Sequence, residues 1–264
     1  MTFAKNDCIM IAENNVADLA VIKVLGNRAE QQDSFGYLLP DSECVVVVAD
    51  GMGGLNSGDI ASKSAVNTVL REFKSASPIL NPLDFLYETT STANEEICNL
   101  RKDDGSSLGA GTTMVAVLVK DNSINWNSVG DSRAYLWRNG ELVQLTKDQN
   151  YKTVLDKQIV SGIISAQEYQ QEISRGEALV SYLGMDAECL IDRNLSPLKL
   201  RSGDKVILMS DGLYRLVSDN EILEILNSKS AVKEIVFEFE NKAQQNSLNK
   251  KRRDNMTVAV LKIK

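Results

Sequence analysis

The chain predicts an α+β fold of two stacked, mostly antiparallel sheets with helices outside them, and three observations carry that reading. The strand-like segments are joined by short turns, as antiparallel neighbours are. The helix-like segments come in consecutive pairs instead of alternating one by one with strands. Finally, Val45, Val46, Val47 and Val48 stand in a row, and such a β-branched run marks a strand buried on both faces. Two sheets packed face to face, with helix pairs on the outer surfaces, bury this much apolar sequence.

The elements follow in order. Residues 18–26 predict a first strand, 34–39 a second and 44–49 a third, the last two separated by the turn at 40–43. After Asp50 the backbone is expected to turn on Gly51, Gly53 and Gly54. Ile60, Ala61, Ala65, Val66, Val69, Leu70 and Phe73 then fall on one helical face, with Asn56 or Ser57 as cap. Ser77 and Pro78 end that helix. Asn81 and Pro82 start the next, with Leu83, Leu86, Tyr87, Thr90, Ile97 and Leu100 as its stripe. Strands at 112–119 and 124–129 flank Asp121-Asn122; strands at 133–137 and 141–145 flank Asn139-Gly140, a type I′ hairpin signal.

Residues 152–187 are polar and weakly periodic, with one capping box, Ser165 and Glu168, and read as a flap of short helices. A strand at 205–209 runs into Ser210-Asp211-Gly212. Ser218 and Glu221 cap a helix carrying Ile222, Leu223, Ile225 and Leu226. Val232, Ile235, Val236, Phe239 and Ala243 stripe a further helix near 231–245, and Asp254-Asn255 lead into a last strand, MTVAVLKI. The basic run 250–253 reads as a solvated turn. With no repeat and no low-complexity linker, one domain over 1–264 is expected.

Composition narrows the chemistry. The chain has 264 residues, 29 Lys+Arg against 36 Asp+Glu and a net charge of −7, which argues against a nucleic acid or an anionic membrane as partner. No apolar run approaches the ~20 residues of a membrane span, and the first fifteen residues lack a signal-peptide pattern. The scattered Cys8, Cys44, Cys98 and Cys189 suggest reduced thiols and a cytoplasmic location. A monomer is the expected state. There is no histidine, which removes Ser-His-Asp and Cys-His catalysis and His-ligated zinc together. The hydroxyls of Ser132 and Ser210 then have no His base and read as turn residues.

Asp50, Asp131 and Asp211 each end an apolar segment beside a glycine, and Asp254 stands immediately before the last strand. If that strand runs antiparallel to a neighbour ending in another of these acids, their carboxylates meet at one sheet edge. Two carboxylates about 4 Å apart repel by roughly 4 kcal/mol at an effective dielectric near 20. Their convergence therefore calls for raised pKa values or a cation between them. Oxygen ligands without His or clustered Cys select hard ions, Mg²⁺ or Mn²⁺, and a pair of such ions readies a water for attack on phosphorus. Arg28, whose planar fork matches phosphate oxygens, is the candidate anchor, near Asp50 if the first two strands pair with the third.

Taken together, RAEQQDSF (28–35), ADGMGG (49–54), GAGTT (109–113), VGDSRAYL (129–136), MSDGL (209–213) and DNMTVAV (254–260) resemble, in order and spacing, the metal-dependent serine/threonine protein phosphatases of type 2C, in their bacterial form. The resemblance implies a four-layer α-β-β-α sandwich of two mostly antiparallel sheets flanked by helix pairs, with a flap at about 150–190. It implies a dinuclear Mn²⁺ or Mg²⁺ centre and phosphoserine or phosphothreonine proteins as substrates, targets of a cognate kinase, hydrolysed by a metal-activated water without a covalent intermediate. By the same resemblance Asp50 bridges the ions, Gly51 offers its carbonyl, and Asp211 and Asp254 hold the second ion. Asp131 with Asp211 matches a weaker third site, Arg28 binds phosphate, and Asp33 holds a water on the metal. Gln31, Gln32, Gln149 and Asn150 depart from the family pattern, as does LVSYLG (179–184), which lacks an Arg. Met52 stands where eukaryotic members have a His. A phosphoprotein-binding module without catalysis is the alternative, and it sits poorly with four surviving carboxylates.

Overall fold

The computed structural model describes residues 7–53, 57–185, 188–228, 231–248 and 253–264. Gly54, the candidate cap Asn56, residues 186 and 187 of the expected flap and the basic residues 250–252 lie outside the described residues. One six-stranded sheet runs in the order β1 (Cys8–Glu13), β2 (Ala17–Val24), β13 (Met256–Ile263), β12 (Lys205–Met209), β8 (Arg133–Arg138), β9 (Glu141–Gln144). The other runs β10 (Asp192–Arg193), β7 (Ser123–Val129), β6 (Met114–Lys120), β4 (Glu43–Met52), β3 (Asp33–Leu38), with β11 (Leu198–Lys199) also on β7 and β5 (Gly111–Thr112) on the end of β4. Every one of these pairings is antiparallel. Helices α1 (Ser57–Ala76) and α2 (Pro82–Cys98) cover the second sheet; α6 (Asp219–Ser228) and α7 (Val232–Ser247) cover the first.

Three apolar layers hold the sandwich, and the valine run shows how. Val46 and Val48 point between the sheets, against Leu19, Val21, Val206, Leu208 and Leu261. Val45 and Val47 point the other way, beneath Ala61, Ala65, Val69 and Phe73 of α1. Alternation along an extended chain thus feeds two cores from one strand. The third core lies under α6 and α7, where Ile222, Ile225, Ile235, Val236 and Phe239 meet Ile22, Ile207 and Val258.

Local signals act as their chemistry predicts. Asn81 caps α2 by accepting from the Asp84 amide. Asp121, Asn122, Asn139 and Gly140 all adopt positive φ in the two-residue hairpins they make. Ile60 and Tyr87, counted in the helix stripes, are exposed, Tyr87 beneath the Arg193 guanidinium. The four cysteines are free thiols, and no helix among the described residues is long and apolar enough to cross a membrane.

The flap is built from α3 (Tyr151–Val160), α4 (Ala166–Glu172) and a following 3-10 turn (Ile173–Arg175), with the expected Ser165–Glu168 capping box at α4. It buries little, with Leu155 alone in α3 and nothing in α4. Its foot is pinned by backbone bonds from Tyr151 to Ala178 and from Lys152 to Gly176, both 2.8 Å.

Three expectations need correction. The first predicted strand does not join the next two: β2 pairs with β1 and β13 in one sheet, while β3 and β4 pair in the other. The main chain does not turn at Gly51, which is a strand residue paired with Thr112. Arg253 is not solvated; it is buried in an ion pair with Glu240. Sequence reading also missed β1, an edge strand with Met10 and Ile11 exposed, and the one-turn helix α5 (Asp211–Tyr214).

Helix α5 fits only because its second residue is glycine. A Cβ on Gly212 would lie 1.9 Å from the Asn255 carbonyl oxygen. Gly212→Ala is therefore expected to cost about 1–3 kcal/mol, read as a lower urea midpoint; an unchanged midpoint would show that this rim yields freely.

Candidate functional site

The acids come together at one rim because antiparallel pairing turns alternate strand ends the same way. β12 ends at Met209, two residues before Asp211 opens α5, and its partner β13 starts at Met256, two residues after Asp254. In the other sheet Asp33 opens β3 directly across from Asp50 near the end of β4. Asp131 follows Gly130, a left-handed residue just after β7. A cleft of about 630 Å³ opens over this rim, lined by Arg28, Asp50, Gly51, Asp131, Asp211 and Asp254, with Glu177 and Arg215 at its flap side. Asp33 lies beneath it, 1% exposed.

Gly51 is small for a reason of packing. A Cβ there would stand 2.0 Å from the Gly58 carbonyl oxygen in the first turn of α1 and 2.7 Å from that of Gln32. Asp50 is fixed by its main chain: its amide donates to the Thr113 hydroxyl at 3.0 Å, and its carbonyl accepts from the Thr113 amide and the Thr112 hydroxyl, each at 2.9 Å. The GAGTT motif therefore serves as the splint of this carboxylate. The Thr113 hydroxyl is itself bonded to that of Ser132 at 2.7 Å.

Arg28 reaches the rim by a crossing loop. Asn255 clamps that loop from β13: its side-chain amide donates to the carbonyls of Leu25 (2.8 Å) and Glu30 (3.1 Å), and its oxygen accepts from the Gln32 amide at 2.8 Å. Arg28 then pairs with Asp254, both about one-third exposed. On the opposite side Arg215 pairs with Asp211 at 2.9 Å.

Electrostatics confirm how crowded the rim is. Burial, followed by the charges of Asp33, Asp211, Asp131 and Asp254, pushes Asp50 well above the usual carboxylate range. Burial carries Asp33 up to about 7, against the hydrogen bond from Ser210. Burial and then Asp211 carry Asp131 up to about 6, with Arg215 opposing. Asp211 is raised by burial, again with Arg215 opposing.

Oxygen-only donors of this count suit hard divalent ions. Buried oxygens of Asp33 (Oδ1), Asp131 (Oδ2) and Asp211 (Oδ1) have no hydrogen-bond partner, so the rim offers electron pairs that its own donors leave unused. The acids share a cleft without closing on a point: among the described residues no three of them form a ready cage for an ion. Asp254 and Asp211 are engaged by arginines instead, Arg28 and Arg215.

Several residues here escaped sequence reasoning. Ser210, taken for a turn residue, donates to Asp33 Oδ2 at 2.7 Å and accepts from the Thr257 amide at 2.9 Å, so one hydroxyl joins the two sheets beneath the acids. Gln149 and Asn150, the departures beside the flap, have local work. Gln149 accepts from the Gly130 amide at 2.8 Å, beside Asp131, and Asn150 caps α3 by accepting from the Thr153 amide at 3.1 Å. Asn255 could have been found as the residue following a motif Asp; nothing in the sequence pointed to Arg215.

A four-layer sandwich with a carboxylate-rich, arginine-flanked cleft at the shared end of its sheets defines an oxygen-ligand site for hard cations. The family model for protein phosphatase 2C matches residues 25–255, and the chain belongs to that family. It is 32% identical over 238 residues to the serine/threonine phosphatase stp of Listeria monocytogenes, covering 89% of this chain and 90% of that one. It is similar to the catalytic domain of the serine/threonine protein phosphatase PstP, solved in complex with two manganese ions (TM-score 0.74, 29% identity, 94% and 98% of the two chains). It is also similar to the PPM Ser-Thr phosphatase MsPP of Mycobacterium smegmatis, solved with cacodylate (TM-score 0.72, 26% identity, 93% and 98%).

Ser210→Ala removes the donor to a buried carboxylate and the acceptor of a buried amide. It is expected to destabilise the protein by about 1–3 kcal/mol in chemical denaturation. Stability equal to wild type would mean that the hydroxyl does not bridge the sheets.

Proposed function

We propose that this chain is a metal-dependent phosphoprotein phosphatase that removes phosphate from phosphoserine and phosphothreonine in proteins. The single observation that carries this reading is the convergence of Asp50, Asp131, Asp211 and Asp254 on one cleft with Arg28 at its edge. Asp50, the Gly51 carbonyl, Asp211 and Asp254 would hold two Mn²⁺ or Mg²⁺ ions. When bound, such ions supply the positive charge that makes water a competent nucleophile at neutral pH and offsets charge building on phosphorus.

The chain's own residues do the rest. Arg28, at the cleft edge beside Asp254, would present two parallel N–H groups to the phosphate oxygens and align phosphorus for in-line attack. Asp33, held by Ser210, is placed behind Asp50 to orient the attacking water and receive its proton. Among the described residues no His, Cys or Ser lines the cleft, and Ser210, whose hydroxyl meets Asp33, is buried beneath it, so transfer is direct to water, without a phosphoenzyme. The flap borders the cleft through Glu177, Ala178 and Leu179 and shapes which phosphopeptides enter. The substrates are products of a cognate serine/threonine kinase, the site of action is the cytoplasm, and the working form is a monomer folded as one domain.

Purified protein should hydrolyse p-nitrophenyl phosphate and a phosphothreonine peptide with Mn²⁺ and lose activity in EDTA. Asp50→Asn and Asp211→Asn should each lower kcat on the order of 10²-fold or more, the scale of losing one group that stabilises transition-state charge. Pre-steady-state traces should show no burst of p-nitrophenol. Full activity in either variant, or no turnover with either ion from neutral to alkaline pH, would overturn the reading.

A further inference from the structure

The flap side of the cleft is organised around Arg215, the residue that closes α5. One guanidinium nitrogen of Arg215 faces three carboxylates: Glu177 at 2.5 Å, Asp211 at 2.9 Å and Asp131 at 3.7 Å. The three acids come from three separate parts of the chain. Asp211 is one helical turn before Arg215, Asp131 follows β7, and Glu177 lies on the returning limb of the flap. Glu177 sits between Gly176 and Ala178, whose carbonyls accept from the Lys152 and Tyr151 amides at the start of α3. A pull on Glu177 is thus a pull on the foot of the whole flap. The flap has little else to hold it, since α3 buries Leu155 and α4 buries nothing.

The same guanidinium bears on the third ion that the family resemblance implied for Asp131 and Asp211. The residues present do not fit one. A fixed positive charge already stands between these two acids, and it is a guanidinium that stays protonated at any working pH. Asp131 is 3% exposed and the Asp211 side chain 13%, so a divalent ion entering there would meet that charge at close range with little water to screen it.

We propose that Arg215 is a positioning residue that ties the flap to the acidic rim through Glu177 and serves as the built-in cation of the Asp131–Asp211 edge, so that the chain takes up two divalent ions and excludes a third. The count of two rests on the phosphatase reading above; the tie to the flap does not, since it exists without metal.

The two halves are read separately. In metal-free protein, hydrogen exchange of the α3 amides should run roughly fivefold faster in Arg215→Gln and in Glu177→Gln than in wild type, the factor expected when an opening loses one partly exposed ion pair. The double variant should be no faster than either single one. Wild-type exchange rates in both single variants would overturn the tie. In calorimetric titration with Mn²⁺, wild type and Arg215→Lys should saturate at two ions and Arg215→Gln at three, falling back to two when Asp131→Asn is added. Three ions in wild type, or two in Arg215→Gln, would overturn the exclusion. Uptake of no Mn²⁺ by wild type would overturn the two-ion reading and the exclusion with it, and the exchange rates would still decide the tie. Arg215→Lys and Glu177→Gln keep both measurements usable should Arg215→Gln fold poorly.

Discussion

Everything at this rim follows from one repulsion. Asp33 and Asp50 face each other across adjacent strands, and Asp131, Asp211 and Asp254 crowd the same end of the sandwich. Like charges directly opposite in a sheet are destabilising, and burial removes the water that would soften them. The chain cannot keep all five ionised without nearby positive charge. Two arginines partly meet that demand, Arg28 on Asp254 and Arg215 on Asp211. Buried oxygens of Asp33 and Asp211 remain without a donor, and this unmet charge is what makes the site seek hard cations.

The fold supports that strain by spending its apolar surface elsewhere. Three packed layers hold the strands so firmly that their ends have little freedom, and the rim inherits their rigidity. Small polar groups complete the fit: Ser210 spans the two sheets, Thr113 splints Asp50, and Asn255 fixes the loop bearing Arg28. Glycines at 51 and 212 allow main chains to pass at distances no side chain permits. The flap, by contrast, is tethered by few buried groups, so one exposed-edge ion pair weighs more there than in the body of the sandwich.

Much of this was legible in the residues. Strand periodicity, hairpin turns and the Asn81 and Ser165 caps act within a few positions, and they formed as expected. The aspartates were legible too, because strand ends beside glycine recur in a recognisable pattern. What stayed hidden depends on pairing across long separations. Arg28 reaches the rim by crossing between sheets instead of by following its own strand into the second, which no local pattern reveals. Ser210 looked like a turn residue because its partners, Asp33 and Thr257, are far away in the chain. Arg253 read as part of a solvated turn and nothing local marked Arg215, yet each meets carboxylates brought by other elements.

The central claim, that buried acids gather here to hold two hard ions, is tested most directly by anomalous diffraction at the manganese edge from crystals grown with Mn²⁺. Two strong peaks among the oxygens of Asp50, Asp211, Asp254 and the Gly51 carbonyl are expected, with Arg28 turned away from Asp254. A cleft without anomalous density, and with Arg28 still on Asp254 at saturating Mn²⁺, would contradict it.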